Sequence, residues 1–322
     1  MSSINTNASA MTALQSLNMT NKKMDAVQNA ISTGLSVGSA KDNAAYWSIA
    51  TEMRSDNKAL GTVKDALGLG AAKVDTATTG LTAAIEVTDE IKSKLVAARE
   101  PGVDRDAINT EITALKEQLS TIVESSSFSG ENWLSNDSAT AAADKSIVGS
   151  FNRSASGNVS VSTIDVTVSD ITLIGSDNEN LGILTKTYDA DALKDAPTGT
   201  ADNFRLIDVA GQTTAATGTV ISVSNSTSDA DIDSMISAVD AMLSDMTSAA
   251  SNLGSVGKRV DMQSDFVGNL MNSIDKGIGQ LVDADMNEES VKLQALQVQQ
   301  QLGIQALSIA NGQSQSILSL FR

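Results

Sequence analysis

Histidine and cysteine are both absent from the 322 residues of this chain. Without cysteine there is no disulfide framework and no thiolate nucleophile. Without either residue, the usual zinc sites and the Ser-His-Asp and Cys-His catalytic arrangements are excluded. Only carboxylate, lysine, tyrosine or Ser/Lys chemistry would remain, and the expectation adopted below is a protein that is not an enzyme, with no catalytic residues, no metal site and no cofactor.

Aromatic and basic residues are also scarce. Aromatic side chains make up 3% of the chain, so its core must be lean and aliphatic, which suits extended helical packing better than a thick globule. Lysine and arginine number 22 against 39 aspartates and glutamates, which gives a net charge of −17. Nucleic-acid binding requires a basic stripe, and none is visible, so we predict no nucleic-acid partner.

Neither end of the sequence indicates membrane insertion. Residues 1–7 lack both the basic and the apolar segment of a secretory signal peptide, so we expect a cytoplasmic protein or one exported without a cleaved signal. The last helical stretch, about residues 282–321, is interrupted by glutamines, whereas a membrane span needs about 20 predominantly apolar residues.

That C-terminal stretch is apolar on two roughly opposite faces when it is drawn as a helix. One face carries Met286, Leu293, Leu296, Ile304, Leu307 and Ala310. The other carries Val291, Ala295, Val298, Leu302, Ala306 and Ile309. One partner helix can cover only one face, so the pattern predicts a helix among several others, some of them from other copies of the chain.

The N-terminal stretch carries a heptad repeat that could supply a partner for the C-terminal helix. A first column of the repeat is formed by Ala10, Leu17, Met24 and Ile31. A second column is formed by Leu14, Asn21, Gln28 and Leu35, whose polar members are expected to fix the register. The two ends therefore predict a coiled coil that polymerises, although periodicity alone leaves open that both are ordinary core helices of a bundle.

Between these ends the sequence is helical, then β-rich, then helical again. The first helix is predicted at about residues 7–35, and a second opens with a capping box from Ser39 to Asp42 and runs toward Arg99. Asp104 is expected to cap a third. Alternating polar and apolar residues, such as those of 164–168 and 219–223, indicate strands, and helical periodicity returns at 229–274. The predicted fold is mainly α, a long antiparallel helical bundle or coiled coil from both termini with a small β-rich central insertion.

Several motifs at both ends are similar to those of one protein family. The C-terminal run 302–311 and the closing run 316–322 carry the resemblance, and so does an N-terminal motif within residues 31–45. That motif consists of Gly34, Ser39, Ala40, Lys41, Asp42, Ala44 and Ala45. On these residues the chain resembles bacterial flagellin, the subunit of the flagellar filament, and most of all the short alphaproteobacterial flagellins. It departs from many flagellins at Tyr46 and Trp47, where they have small residues.

The resemblance implies a structural subunit that self-assembles into the helical filament used for swimming. It implies a coiled-coil inner core of residues 1–38 and 285–322, a helical shell of 39–135 and 229–284, and a surface-exposed domain of 136–228. The implied polymerisation interface consists of Leu14, Leu17, Met24, Ile31, Leu35, Leu293, Leu296, Val298, Leu302, Leu307, Ile309, Ile317, Leu320 and Phe321.

The resemblance also implies partners and a location. The partners are copies of the chain and related flagellins, the flagellar export apparatus with its export chaperone, the filament cap and the hook-junction proteins. The location is secreted, in the extracellular flagellum.

One alternative function remains open at this point, and two others find no support in the residues. A hook–filament junction protein shares the terminal helices, and a test of whether the pure protein forms long filaments would separate the two. A zinc protease carried in the middle segment would need a His-Glu-x-x-His helix, which a chain without histidine cannot form. Asp189 and Asp191 could suggest a calcium loop, but glycine and glutamate are missing at EF-hand spacing, so a solvated acidic loop is expected.

Overall fold

The computed structural model describes residues 7–154, 156–193 and 201–320, and for 313–320 it describes the backbone alone. Five α-helices account for most of these residues, which confirms the mainly α fold. They are α1 (Ala8–Thr33), α2 (Ala44–Ala98), α3 (Arg105–Ser125), α4 (Asp229–Val282) and α5 (Met286–Leu320).

The strands all lie between α3 and α4, which confirms the predicted central insertion. They are β1 (Ser127–Phe128), β2 (Glu131–Asn132), β3 (Ser135–Asn136), β4 (Lys145–Arg153), β5 (Val159–Val166), β6 (Ile174–Gly175), β7 (Tyr188–Asp189), β8 (Asn203–Arg205) and β9 (Thr219–Val220). The pairs β1–β2, β4–β5 and β7–β8 are antiparallel, whereas β3–β6 and β8–β9 are parallel. Only the β4–β5 hairpin is long.

The chain forms two compact units. The first consists of residues 1–59 and 270–322, and the second of residues 60–269. Helices α2 and α4 contribute residues to both units.

Helix α1 begins and ends close to the predicted positions. The Asn7 side chain accepts a hydrogen bond from the Ala10 amide at 3.1 Å, which satisfies one of the free donors of the first turn. At the other end Gly34 has a φ of +72°, a left-handed conformation that glycine adopts without a steric penalty.

Helix α2 begins four residues later than predicted. Ser39 donates to the Asp42 carboxylate from both its amide and its hydroxyl, at 2.9 and 3.0 Å, but these bonds close a separate turn. The N-cap of α2 is Asn43, whose side chain accepts from the amides of Ala45 and Tyr46. The predicted capping box therefore does not open the helix, because Asn43 is the residue that offers an acceptor to the amides of the first turn.

Helices α3 and α4 begin where predicted. Asp104 caps α3 by accepting from the amides of Asp106 and Ala107. The Arg105 guanidinium then links the helix ends: it donates to the Ala98 carbonyl at 2.9 Å, to the Thr227 carbonyl at 2.6 Å and to the Asp229 carboxylate at 2.6 Å. One side chain thus holds the end of α2 and the start of α4 against the start of α3.

Close backbone approach explains two glycines within α2. A Cβ on Gly70 would lie 2.3 Å from Cγ2 of Ile147 in β4, and a Cβ on Gly80 would lie 2.1 Å from the Ser126 hydroxyl and 2.9 Å from Leu134. Both distances are too short for a side chain. The β4–β5 hairpin and the segment after α3 therefore pack directly against α2.

Candidate polymerisation interface

Helices α1 and α5 pack side by side and antiparallel within the first unit. The Asn7 side-chain amide donates from Nδ2 to the Ala310 backbone carbonyl at 2.9 Å near one end of the pair. Near the other end, the Ala284 amide donates to the Gly34 carbonyl at 2.9 Å. The two ends of the chain therefore meet, as the sequence patterns predict.

A polar layer lies in the middle of this helix pair. The Gln300 side-chain amide donates to the side-chain oxygen Oδ1 of Asn21 at 2.8 Å, and both residues are half-buried. One helical turn away, a Cβ on Gly303 would lie 3.3 Å from Cδ1 of Leu17, so the helices approach closely there. Because a buried polar pair is satisfied in one register only, Asn21 and Gln300 fix the alignment of α1 and α5.

The seam on α5 follows a strict heptad repeat. Its buried and half-buried positions are Glu289, Leu293, Leu296, Gln300, Gly303, Leu307 and Ala310. Leu293, Leu296 and Leu307 therefore face α1 within the same chain. Met286 and Ile304, which were assigned to this face, are instead exposed, because they lie at its margin, where the single helix α1 does not reach.

The seam on α1 keeps the first predicted column and changes the second. Half-buried positions recur at Ala10, Leu17, Met24 and Ile31, and with them at Ala13, Thr20 and Val27. Leu14 and Gln28 are exposed, whereas Asn21 of the same predicted column is half-buried and pairs with Gln300, so the seam keeps only part of that column and adds Ala13, Thr20 and Val27. Ala13 and Thr20 are smaller than Leu14 and Gln28, which suits the close approach of the two helices at Leu17 and Gly303.

Leu35 has a different environment from the rest of its predicted column. It packs, half-buried, against the cluster formed by Val37, Ala50, Ile278 and Val282. Its backbone also forms an isolated antiparallel bridge with Asp283. Leu35 therefore closes the end of the α1–α5 pair.

The second apolar face of α5 has no partner within the described residues. Val291, Val298, Leu302 and Ile309 are between 56% and 70% exposed, and Ala295 and Ala306 are exposed as well. No charged side chain lies among these six positions. The chain thus covers one face of α5 and leaves the other open to solvent.

Helix α1 also has an open apolar face, and sequence reasoning found only part of it. Met11 and Met19 are 64% and 54% exposed and accompany Leu14 on the side away from α5. A search for exposed apolar residues beside the heptad seam would have found both methionines. Of the remaining predicted interface residues, the side chains of Ile317 and Leu320 and the whole of Phe321 lie outside the described part of the chain.

The family motif forms the turn between α1 and α2. Gly34 is the C-cap of α1, and Ala44 and Ala45 form the first turn of α2. Ser39, Ala40, Lys41 and Asp42 make the intervening turn. Hydrogen bonds from Ser39 lower the pKa of the Asp42 carboxyl below its usual value, so Asp42 is ionised when it holds this turn.

The structure offers no sign of other chemistry in the residues it covers. No group of three or more acidic side chains in the described ranges could hold a metal ion. Across the same ranges, no helix is both long enough and apolar enough to cross a bilayer. The expected solvated acidic loop at Asp189 and Asp191 is wrong: Asp191 is only 3% exposed, and the Asp189 carboxylate accepts from the amides of Asp191 and Asp202.

Comparisons with known proteins match both ends and the full length. Residues 4–139 match the family described as the bacterial flagellin N-terminal helical region, and residues 236–321 match the bacterial flagellin C-terminal helical region. Over 322 residues that cover all of both chains, the sequence is 55% identical to Flagellin C of Rhizobium meliloti strain 1021. It is 45% identical to Flagellin A of Rhizobium meliloti and 43% identical to the flagellin of Brucella melitensis biotype 1, again over the whole of each chain. The chain therefore belongs to the bacterial flagellins, the structural subunits that assemble into the helical flagellar filament.

Proposed function

We propose that the paired helices α1 and α5 are the element through which copies of this flagellin assemble, with their open faces packed against neighbouring copies. The observation that carries this proposal is the unequal burial of α5. Its heptad face is covered by α1, while Val291, Val298, Leu302 and Ile309 lie exposed on its other face. A helix that is apolar on both faces becomes fully buried only among several helices.

Every subunit that joins a filament gains free energy from burial of the open apolar faces of α1 and α5. A fully buried valine, leucine or isoleucine side chain contributes about 1.5–3 kcal/mol relative to an exposed one. Four such residues on α5, together with Met11, Leu14 and Met19 on α1, provide enough apolar surface to oppose the repulsion between chains that each carry a net charge of −17.

Within this proposal, the predicted interface residues have different roles. Leu17, Met24, Ile31, Leu293, Leu296 and Leu307 hold α1 and α5 together inside one subunit. Leu14, Val298, Leu302 and Ile309 contact other subunits. Ile317, Leu320 and Phe321, whose side chains lie outside the described part of the chain, belong to the same proposed interface between subunits. Leu35 joins the pair to the start of α2.

The proposal extends to the domains, partners and location implied by the family. Residues 1–38 and 285–322 form the inner core of the filament, 39–135 and 229–284 its shell, and 136–228 the surface that faces the medium. The subunit is secreted through the flagellar export apparatus with the help of an export chaperone. It meets the filament cap and the hook-junction proteins and co-assembles with related flagellins.

A charge placed on the open face of α5 tests the proposal. Leu302 is exposed in the single chain, so Leu302→Asp should leave the melting temperature of the monomer unchanged. In the filament the carboxylate would be buried without a partner, at a cost of several kcal/mol per subunit. Because each 1.4 kcal/mol is a factor of ten in an equilibrium constant, the critical concentration should rise by about 100-fold or more.

The matched control adds the same charge to the adjacent residue. Gln301 is exposed, is already polar and lies off both apolar faces, so Gln301→Asp should assemble nearly as well as the wild type. Sedimentation and negative-stain images of both variants and of the wild type provide the readout. Long filaments from Leu302→Asp would show that this face stays in solvent and would refute the proposed interface. Long filaments from the wild type without added proteins are also what distinguishes a filament subunit from a junction protein.

A further inference from the structure

The first two turns of α2 carry a second exposed apolar surface, outside the α1–α5 pair. Tyr46, Trp47 and Ile49 are 47%, 37% and 47% exposed. The whole chain has only five phenylalanines, two tyrosines and two tryptophans. A Tyr-Trp pair on the surface therefore uses a substantial part of the aromatic side chains of this protein.

Helix geometry explains why these side chains are exposed. Tyr46 and Ile49 precede Ala50 and Met53 by four residues, so they lie on the same face of α2 one turn earlier. Ala50 is fully buried in the cluster with Val282. The core-facing side of α2 thus extends to Tyr46, one turn beyond the buried Ala50.

The alignment of α4 against α2 shows that α4 ends before it reaches Tyr46. The two helices run antiparallel, and Met53 packs against Gly277, since a Cβ there would lie 3.0 Å from Cε of Met53. Seven residues earlier on α2, Tyr46 therefore falls opposite a point just past Val282, where α4 ends. The apolar face of α2 is one turn longer than the partner helix that covers it.

The ends of the same chain cannot cover this face. Residues 1–6 start from Asn7, at the opposite end of α1 from the Gly34 turn. Helix α1 has 26 residues and so is about 39 Å long, whereas six extended residues reach about 21 Å. Residues 1–6 of the same chain therefore do not reach this surface.

The charge pattern favours a second copy of the chain as the occupant of this surface. Residues 43–51 contain no charged side chain, although the protein carries a net charge of −17. Copies of a strongly acidic chain repel each other, and they approach at the lowest electrostatic cost where neither presents a charge. The surface also belongs to the same compact unit as the α1–α5 pair.

We propose that Tyr46, Trp47 and Ile49 form an anchor that inserts into a neighbouring copy of the chain in the assembled filament. The proposal rests on the proposed function, since it requires that the chain polymerises. Tryptophan and tyrosine are enriched among the residues that dominate the binding energy of protein interfaces, where surrounding contacts exclude water. Helix geometry places Tyr46 between Ile49 and Trp47, so Trp47 forms one edge of this surface.

Hydroxyl-radical footprinting of the unmodified protein tests the proposal directly. Oxidation of Trp47, measured by mass spectrometry, should fall at least about fivefold from monomer to filament as water is excluded from the contact. Trp133 is 3% exposed and should be oxidised slowly in both states, so it serves as the internal control. Equal oxidation of Trp47 in monomer and filament would overturn the proposal and leave the proposed function intact.

Substitutions give an independent measurement. Trp47→Ala should raise the critical concentration at least about tenfold without shifting monomer melting, and Trp47→Phe should restore most of the loss. Val161, a 56% exposed residue of β5, provides the control: Val161→Ala should assemble like the wild type. An unchanged critical concentration for Trp47→Ala would refute the anchor. A wild-type protein that forms no filaments would contradict the proposed function and this contact with it.

Discussion

The buried carboxylate of Glu179 offers a way to unfold the central segment without touching the proposed interface. Glu179 is fully buried, accepts from the amides of Val209 and Ala216 at 3.0 and 2.7 Å, and pairs with the Arg205 guanidinium. The Arg205 side chain is itself only 11% exposed and also reaches Asp208. One carboxylate therefore satisfies three donors in a part of the chain that has little regular secondary structure.

Removing this carboxylate should be costly. Glu179→Ala leaves a nearly buried guanidinium without its main partner and two amides without acceptors. Breaking a buried ion pair from one side costs about 3–5 kcal/mol. Because the whole free energy of unfolding of a domain is about 5–15 kcal/mol, we expect the segment around residues 174–221 to open locally while the long helices stay folded.

Hydrogen exchange resolved by peptide measures this opening. Amides of the central segment should exchange about 100-fold faster or more in Glu179→Ala, since 1.4 kcal/mol corresponds to a factor of ten. Peptides from α1 and α5 should be unchanged, and filaments should still form. In the double variant Glu179→Ala with Arg205→Met, no charge is stranded, so part of the protection should return.

Two results would refute this reasoning. Exchange within about threefold of the wild type would show that Glu179 contributes little to the stability of the segment. Loss of filaments with unchanged exchange in α1 and α5 would show that the central segment is itself an assembly contact, so the proposed surface domain would be wrong.

Three further predictions test the packing and the assembly. In α2, Gly68→Ala should raise the free energy of unfolding by up to about 1 kcal/mol, because nothing lies near the new Cβ, whereas Gly80→Ala should lower it by about 1–3 kcal/mol, because the new Cβ would collide with Ser126 and Leu134. Urea denaturation of both variants measures the two changes, and changes of the same sign would contradict this prediction. Burial lowers the pKa of Lys116 from 10.5 to about 8, so between about pH 8 and 10.5 the unfolded chain binds more protons than the folded chain, and the stability of the wild type should rise with pH. In thermal melts, Lys116→Gln should remove up to about 3 kcal/mol of this rise. An identical pH dependence in both proteins would show that the amine titrates normally. Deleting residues 311–322 should abolish filaments in sedimentation assays. The circular dichroism of the helical body should be unchanged, because the other helices carry their own apolar periodicity. Normal filaments, or a globally unfolded monomer, would each contradict this prediction.

The sequence by itself determined the helices, the central insertion and the meeting of the two ends. Heptad spacing needs no knowledge of a partner, so Leu293, Leu296 and Leu307 were placed on one face of α5 and Leu302 and Ile309 on the other. Local hydrogen-bond chemistry likewise fixed the cap at Asp104 and the end of α1 at Gly34, because caps depend only on neighbouring residues.

Tertiary structure decided which side of a helix is buried and where along the helix that burial ends. A helix with apolar residues at spacings of both three and four can present either side, and the close approach of α5 at Gly303 selected Ala13 and Thr20 over Leu14 and Gln28 for the seam. In the same way, the end of α4 at Val282 left Tyr46 uncovered, although its spacing of four residues places it on the same face as the buried Ala50. Periodicity specifies a face of a helix, but only the positions of neighbouring helices determine where along that face burial ends.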